Sequence, residues 1–269
     1  MHRPSGFQDP LRILLRQLLA TDPLRRLAAL VTCAVLLATP ASVPALAPIV
    51  HSPRVVRTRT VASAIANAGW TSSNWSGYAV RAGPYTSVTS IWRVPTVTAS
   101  AKATYSSSWV GIDGFNNRNL IQTGTEQDYY GGSAHYSAWW EILPAAGMVI
   151  SSLTIHPGDT MSATIARNPT GGTWRITLTD RTTGKTFSTV RTYHGTGSSA
   201  EWIQEAPMVG GSVATLAHDS LTTFVGTANG GYPQLVASNR GTMVQNGVRV
   251  STPSVPDRRT HGFSVRYAG

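Results

Sequence analysis

At 269 residues the chain can hold one large domain or two small ones, and 41% hydrophobic content with eight Trp suits a packed core. Only 13% of the residues are charged, against about 25% in an average soluble domain, yet the net charge is +10 and nearly all of the basic residues are Arg. These Arg are scattered, with no basic run of the kind a recognition helix or an RNA-binding sheet carries, which argues against a nucleic-acid partner; a lone cysteine, Cys33, excludes a disulfide framework and a Cys-ligated metal site.

Residues 1–26 carry five Arg and two Asp and end in Arg25-Arg26. The apolar run 27–38 that follows has the length of a signal-peptide hydrophobic region and is too short for a bilayer, which needs about 20 apolar residues. Ala45-Leu46-Ala47 offers a small-x-small cleavage site, and Ala41 offers a second. Residues 1–47 are therefore read as a signal peptide with a long n-region, and 48–69 as a short propeptide or linker. From residue 70 to 269 the pattern is all-β: short runs of Val, Ile, Thr, Trp and Tyr alternate with Gly, Asn, Asp and Pro turns. Ile150–Ile155 and Met161–Ile165 read as strands around the turn His156-Pro-Gly-Asp159. Trp174–Thr179 and Thr186–Val190 read as a hairpin. Asn246-Gly247 is a strong two-residue hairpin signal, and Phe263–Tyr267 reads as a closing strand. No amphipathic helix is expected after residue 70, so the rhythm indicates a sandwich or a barrel.

Serine and metal chemistry find little support. The sequence has no Gly-x-Ser-x-Gly elbow and no His-Glu-x-x-His. Of the seven His, His2 and His51 fall outside the expected domain, and the others lie in or beside turns. The carboxylates say more. Asp159, Asp180 and Asp257 stand in turn contexts and serve those turns. Asp113 and Glu141 lie among aromatic and aliphatic residues, and Glu201 and Glu205 flank Trp202-Ile203. Positions 201, 203 and 205 of a strand face one side, and a carboxylate in an apolar cleft has a raised pKa suited to acid–base work. For any single one of these acids, spacing alone favours an ion pair with Arg.

Six blocks narrow the reading. They are Asn74-Trp75-Ser76-Gly77, Ser87–Pro95, Trp109-Val-Gly-Ile-Asp113-Gly114, Leu120-Ile-Gln122-Thr-Gly124, Tyr136-Ser-Ala-Trp-Trp140-Glu141 with Pro144, and Ala200-Glu-Trp-Ile-Gln-Glu205. Together, in this order and over about residues 72–267, they resemble the glutamic peptidases (eqolisins). The resemblance implies an antiparallel β-sandwich of two curved sheets, like the concanavalin and legume-lectin type. It implies a secreted, monomeric endopeptidase acting on polypeptide substrates, with no metal or cofactor and no membrane insertion after signal cleavage. Glu205 would be the catalytic base and Gln122 the oxyanion donor, with Trp75, Trp109, Asp113, Trp139 and Glu141 lining or bracing the cleft. The family's Asp in its Tyr-Asp-Ala-Trp segment is Ser137 here, and this domain is basic where the fungal members are acidic. A rival of another class is a non-catalytic carbohydrate-binding or adhesion module on the same sandwich, since Trp faces also stack on sugars and fold alone does not decide function.

Overall fold

The structure, a computed structural model, describes residues 48–56 and 69–268. The expected signal segment 1–47 and the stretch 57–68 lie outside the described residues. In chain order the strands are β1 (Ile49–Val50), β2 (Trp70–Ser72), β3 (Trp75–Val80), β4 (Ser87–Arg93), β5 (Ser107–Ile112), β6 (Ile121–Tyr130), β7 (Ser133–Ile142), β8 (Met148–Val149) and β9 (Thr160–Arg167). They continue as β10 (Thr173–Asp180), β11 (Thr186–Thr192), β12 (Ala200–Glu205), β13 (Met208–Val209), β14 (Ser212–Val213), β15 (Thr222–Val225), β16 (Arg240–Gln245), β17 (Val248–Pro253) and β18 (Phe263–Tyr267). Among the described residues the helical content is one 3₁₀ turn, Ala237–Asn239.

One hydrogen-bonded ladder runs β11-β10-β9-β4-β15-β18-β17-β16-β3-β12-β5-β6-β7-β8, and β2 joins β16 in parallel. The other pairings along this path are antiparallel, as expected for a sandwich of consecutive hairpins. The ladder doubles over on itself, so that β4 packs on β5 and β9 packs on β6. This gives two layers. The back layer (β11, β10, β9, β4, β15, β18) follows the period of two: along β10 every second residue from Trp174 to Asp180 is buried and the others are partly or fully exposed. Its inward side chains, among them Trp92, Met161, Ile165, Ile176 and Phe224, meet Tyr78, Val110, Ile112, Ile121 and Trp202 from the front layer to make the main core.

The front layer breaks the alternation. Every residue of β3, β5 and β12 is buried. Such strands need cover on both faces. Their second face is covered by an aromatic cluster containing Trp70, Trp75, Trp109, Phe115 and Trp139, and by the segment 48–56. Two glycines make room for it. A Cβ on Gly124 would lie 2.5 Å from Trp109 Cβ, and Gly77, at φ 145°, would carry a Cβ 2.1 Å from the Trp202 carbonyl oxygen. Neither position tolerates a side chain without moving backbone or ring.

The hairpins expected from the sequence are present. β10 and β11 pair from Thr173↔Thr192 to Thr179↔Thr186. Asn246 and Gly247 sit at φ 51° and 81°, the two positive values a type I′ turn needs, and join β16 to β17. Two expectations fail. Ile150–Ile155 is not a strand: Leu153 N–H donates to Ile150 O in a turn, and Ile150, Leu153 and Ile155 are buried while Ser151 and Ser152 face solvent. Apolar residues can reach the core from a turn as well as from a strand, and a run this short does not distinguish them. His51 is not outside the fold either. It is 3% exposed and lies against the front layer.

Candidate active site

Register brings the acids and Gln122 onto one face. Across β3, β12, β5, β6 and β7, Trp75, Glu205, Ser107, Glu126 and Ser137 form one cross-strand row. Ala79, Glu201, Gly111, Gln122 and Glu141 form another, and Gly77, Ile203, Trp109, Gly124 and Trp139 lie between them. Side chains of alternate residues share a face, so the large rings of the middle row stand between Glu205 and Gln122 and roof the sheet. Trp75 meets Trp109 edge-on at 5.0 Å, the arrangement aromatic quadrupoles favour.

Glu205 is fully buried and its carboxylate is held by named donors. Trp109 Nε1 donates to Oε2 at 2.8 Å, Asn74 Nδ2 donates to Oε1 at 3.3 Å, and the Ser52 backbone N–H donates to Oε1 at 3.2 Å. His51 Nδ1 lies 3.3 Å from Oε2. Gln122, also fully buried, donates through Nε2 to Glu141 Oε2 at 2.8 Å and to the His51 carbonyl oxygen at 3.4 Å. Its Oε1 has no protein partner among the described residues. A buried acceptor with no partner is costly, which makes it a natural anchor for a bound water or a substrate N–H.

Glu141 lies beside Gln122. Burial raises its pKa to about 7, against the lowering pull of His51 and of the Gln122 N–H. His51 is opposed by its own burial, but the ion pair with Glu126 at 2.6 Å and the contact with Glu205 outweigh that and raise its pKa to about 10. The ring is therefore a buried cation, stacked on Trp139 at 3.4 Å and 7°. Burial pushes Glu126 up, opposed by the His51 charge and hydrogen bond, and it pushes Asp128 and Asp219 well up. Burial also drives Glu201 well above the ordinary carboxylate range, with the Asp113 charge adding to the rise and the neighbouring Ser199 hydroxyl opposing it.

Asp113 stands apart from this cluster. It touches neither Gln122 nor Glu205 among the hydrogen bonds described, and its carboxylate instead ties down the loop before β12. Tyr193 Oη and Gly197 N donate to Oδ2; Asn117 Nδ2, Ser198 N, Ser198 Oγ and Thr196 Oγ1 donate to Oδ1. Burial would raise its pKa, but these donors together hold it below the ordinary value. Its backbone is at φ 72°, which Asp and Asn accept better than other non-Gly residues. Asp113→Asn keeps that backbone but turns an acceptor into a donor facing donors. It should cost about 1–3 kcal/mol, which at about 2–4 °C per kcal/mol for a domain of this size lowers Tm by several degrees. An unchanged calorimetric Tm would remove Asp113 as a brace.

Trp75, Trp109, Trp139 and Glu141 all belong to the cluster around Gln122 and Glu205. Sequence reasoning did not single out His51, Ser52, Asn74 or Glu126. Glu126 had a signal, since it lies on Gln122's face of β6 four residues on. Asn74 stood in a quoted block without a role. Asn74 Oδ1 accepts from Val55 N at 2.7 Å and its Nδ2 reaches Pro53 O at 3.2 Å as well as Glu205.

The sequence profile of the peptidase A4 family matches residues 73–262, which contain Gln122, Glu205 and the aromatic roof. The chain belongs to the peptidase A4 family. It is 31% identical over 180 residues to aspergillopepsin-2 of Aspergillus niger, a match covering 57% of this chain and 62% of that protein. It is 32% identical over 139 residues to scytalidopepsin B of Scytalidium lignicola, covering 49% of this chain and 51% of the other. The matched regions thus span between half and two thirds of these curated relatives. Among solved structures, scytalido-glutamic peptidase bound to a transition-state analog inhibitor superposes with a TM-score of 0.62 at 25% identity, over 73% of this chain and 98% of that one. Aspergilloglutamic peptidase from Aspergillus niger superposes with a TM-score of 0.52 at 26% identity, over 61% and 99%. The eqolisin β-sandwich is therefore the fold of this A4 chain. At the position where the family's Tyr-Asp-Ala-Trp segment has Asp, Ser137 pairs across the ladder with Glu126; the A4 chain has one carboxylate in that pair where an Asp would make two.

Proposed function

We propose that this A4 chain is a secreted endopeptidase that hydrolyses peptide bonds with Glu205 and Gln122 as its catalytic pair, and with no metal or cofactor. The observation that carries the reading is the way both side chains meet one backbone peptide group: Gln122 Nε2 donates to its carbonyl oxygen at 3.4 Å and Glu205 Oε1 accepts from its N–H at 3.2 Å. A hydrolase needs a donor on the carbonyl oxygen, where negative charge develops, and a proton carrier near the nitrogen, which must leave as an amine. In the reaction Glu205 takes a proton from the attacking water and returns it to the departing nitrogen. The neutral amide of Gln122 holds the oxyanion without titrating. Trp109 Nε1 and Asn74 Nδ2 orient the Glu205 carboxylate by their hydrogen bonds, and the indole roof excludes bulk water, which strengthens each of these interactions.

A carbohydrate-binding role gains no support from the aromatics, because Trp75 and Trp109 are fully buried and offer no open face to a sugar. The activity is tested by digesting a denatured protein with the purified chain across pH 3–8, with a chelator in one arm and a fluorophosphonate in another. Cleavage should persist in both arms. Complete inhibition by either reagent would overturn the mechanism. Secretion is tested by sequencing the exported chain, in which retention of Cys33 would contradict a cleaved signal.

A further inference from the structure

The peptide group bracketed by Gln122 and Glu205 is His51–Ser52 of the chain itself, so the residues after it trace a path that a polypeptide takes through the cleft beyond the reacting bond. Most contacts along this path are to backbone and serve any sequence. Trp75 Nε1 donates to Ser52 O at 3.1 Å, Asn74 Nδ2 donates to Pro53 O at 3.2 Å, and Arg54 N donates to Gly114 O at 3.1 Å. Val55 N donates to Asn74 Oδ1 at 2.7 Å, and Val55 O accepts from Ser73 N at 3.0 Å. Arg54, the third residue after the bond, differs because its side chain is held. Nε donates to Phe115 O at 3.2 Å, Nη1 to Thr71 O at 3.3 Å and Nη2 to Asn116 Oδ1 at 3.5 Å. The guanidinium carbon lies 4.1 Å from the Phe115 ring centre and 5.8 Å from that of Trp70. One acceptor for each of three nitrogens, with a ring face against the plane, fits a guanidinium. An ammonium carries its donors on a single atom and cannot span the three.

The pocket around this side chain is built by the domain. Trp70 Nε1 donates to Asn239 O at 2.8 Å, and the Trp70 ring meets Phe115 edge-on at 5.2 Å and 79°. The loop that carries Phe115 and Asn116 is held by Asn117: its Oδ1 accepts from Gly114 N at 3.2 Å and Asn119 N at 3.0 Å, and its Nδ2 donates to Asp113 Oδ1 at 2.9 Å. None of these contacts involves residues 48–56, so the rings and acceptors are fixed independently of the segment that fills them. We propose that Trp70, Thr71, Phe115 and Asn116 form a substrate subsite that selects Arg at the third residue after the scissile bond. The proposal rests on the peptidase reading above and adds a substrate class to it. One neighbour works against the subsite. The Arg81 guanidinium also lies over Phe115, at 5.0 Å, and is tethered to Ser238 O at 3.0 Å. Burial first, and the Arg81 charge second, lower the Arg54 pKa. Arg81 therefore weakens the hold on a cation, and its removal should sharpen the selection.

The test uses the purified full chain. Denatured proteins are digested and the cut bonds are mapped by mass spectrometry. A peptide built on a rapidly cut bond is then made in five forms, with Arg, citrulline, Lys, Ala or Glu at the third residue after it. The chain's own segment competes with all five peptides alike, so it cancels from ratios of kcat/KM. The Arg peptide should exceed the Ala peptide by about tenfold in kcat/KM, the worth of one partly desolvated cation–aromatic contact. Citrulline, which keeps the shape without the charge, should fall near Ala, and Lys should fall between Ala and Arg. Phe115→Leu should bring the Arg-to-Ala ratio close to one, and Arg81→Gln should raise it severalfold, a gain that mere loosening of the loop would not produce. If proteins are cut but the Arg and Ala peptides are turned over equally, or Glu is preferred, the subsite proposal falls and the peptidase reading stands. An Arg preference that citrulline shares, or that Phe115→Leu leaves intact, also overturns the subsite. If no protein is cut at any pH, the peptidase reading falls and the subsite falls with it.

Discussion

Glu205→Gln is expected to lower kcat/KM for a protein substrate by at least about 100-fold, the lower end of what a positioned acid–base group contributes. The substitution is nearly isosteric and stays within a fully buried site, so shape is kept and proton acceptance is lost. One local cost accompanies it. Trp109 Nε1 and Asn74 Nδ2 both donate to this carboxylate, one on each oxygen; an amide offers one acceptor and one donor group, so one of the two meets a donor. Circular dichroism separates that cost from loss of chemistry. Glu201→Gln is the matched control on the same strand. Burial shifts the Glu201 pKa well above the ordinary range and so disfavours its charge; an uncharged amide suits that site, and the variant should fold and retain much more activity. A folded Glu205→Gln enzyme with near wild-type turnover would end the glutamic-peptidase mechanism and reopen the binding-module reading.

Gln122→Ala is expected to cost about 3–4 kcal/mol of transition-state stabilisation, the worth of one oxyanion donor in a dry site, or roughly 100- to 1,000-fold in kcat. The loss should fall on kcat more than on KM, because the interaction strengthens only as charge builds on the oxygen. The change also removes the N–H that Glu141 Oε2 accepts at 2.8 Å. That donor pulls the Glu141 pKa down against burial, so without it Glu141 shifts further upward from about 7 and is more fully protonated at neutral pH. Combined with Glu205→Gln, the loss should be far smaller than the product of the two single losses, because both groups act on one carbonyl and one water. Independent, multiplicative losses would show that the two residues do not act on the same bond.

Much of this protein is legible one segment at a time. The β10–β11 hairpin is written in alternating residues around a short turn, and the β16–β17 hairpin in Asn246-Gly247, because Asn and Gly are among the few residue types that accept consecutive positive φ values cheaply. Asp159, Asp180 and Asp257 each accept hydrogen bonds from backbone N–H groups of their own turns, as local side chain–backbone chemistry dictates. Ile150–Ile155 misled the reading because a short apolar run is compatible with a turn packed on the core.

The sequence by itself determined the class of the fold and the family blocks, since strand period, turn propensity and motif spacing are properties of residues within a few positions of one another; Glu205 and Gln122 stood out only through the resemblance those blocks carry, because spacing alone favoured an ion pair for any single acid. Tertiary structure alone decided what those two residues face. His51 and Ser52 lie 154 and 153 positions before Glu205, in a Pro- and Arg-containing stretch with no period of its own. Their place depends on a pocket assembled from β3, β5, β6, β7 and β12, none of which is adjacent to them in the chain. A buried cation against Glu126 is stable only where the ladder has first brought a carboxylate and an indole together, and no local pattern in the residues around position 51 encodes that meeting.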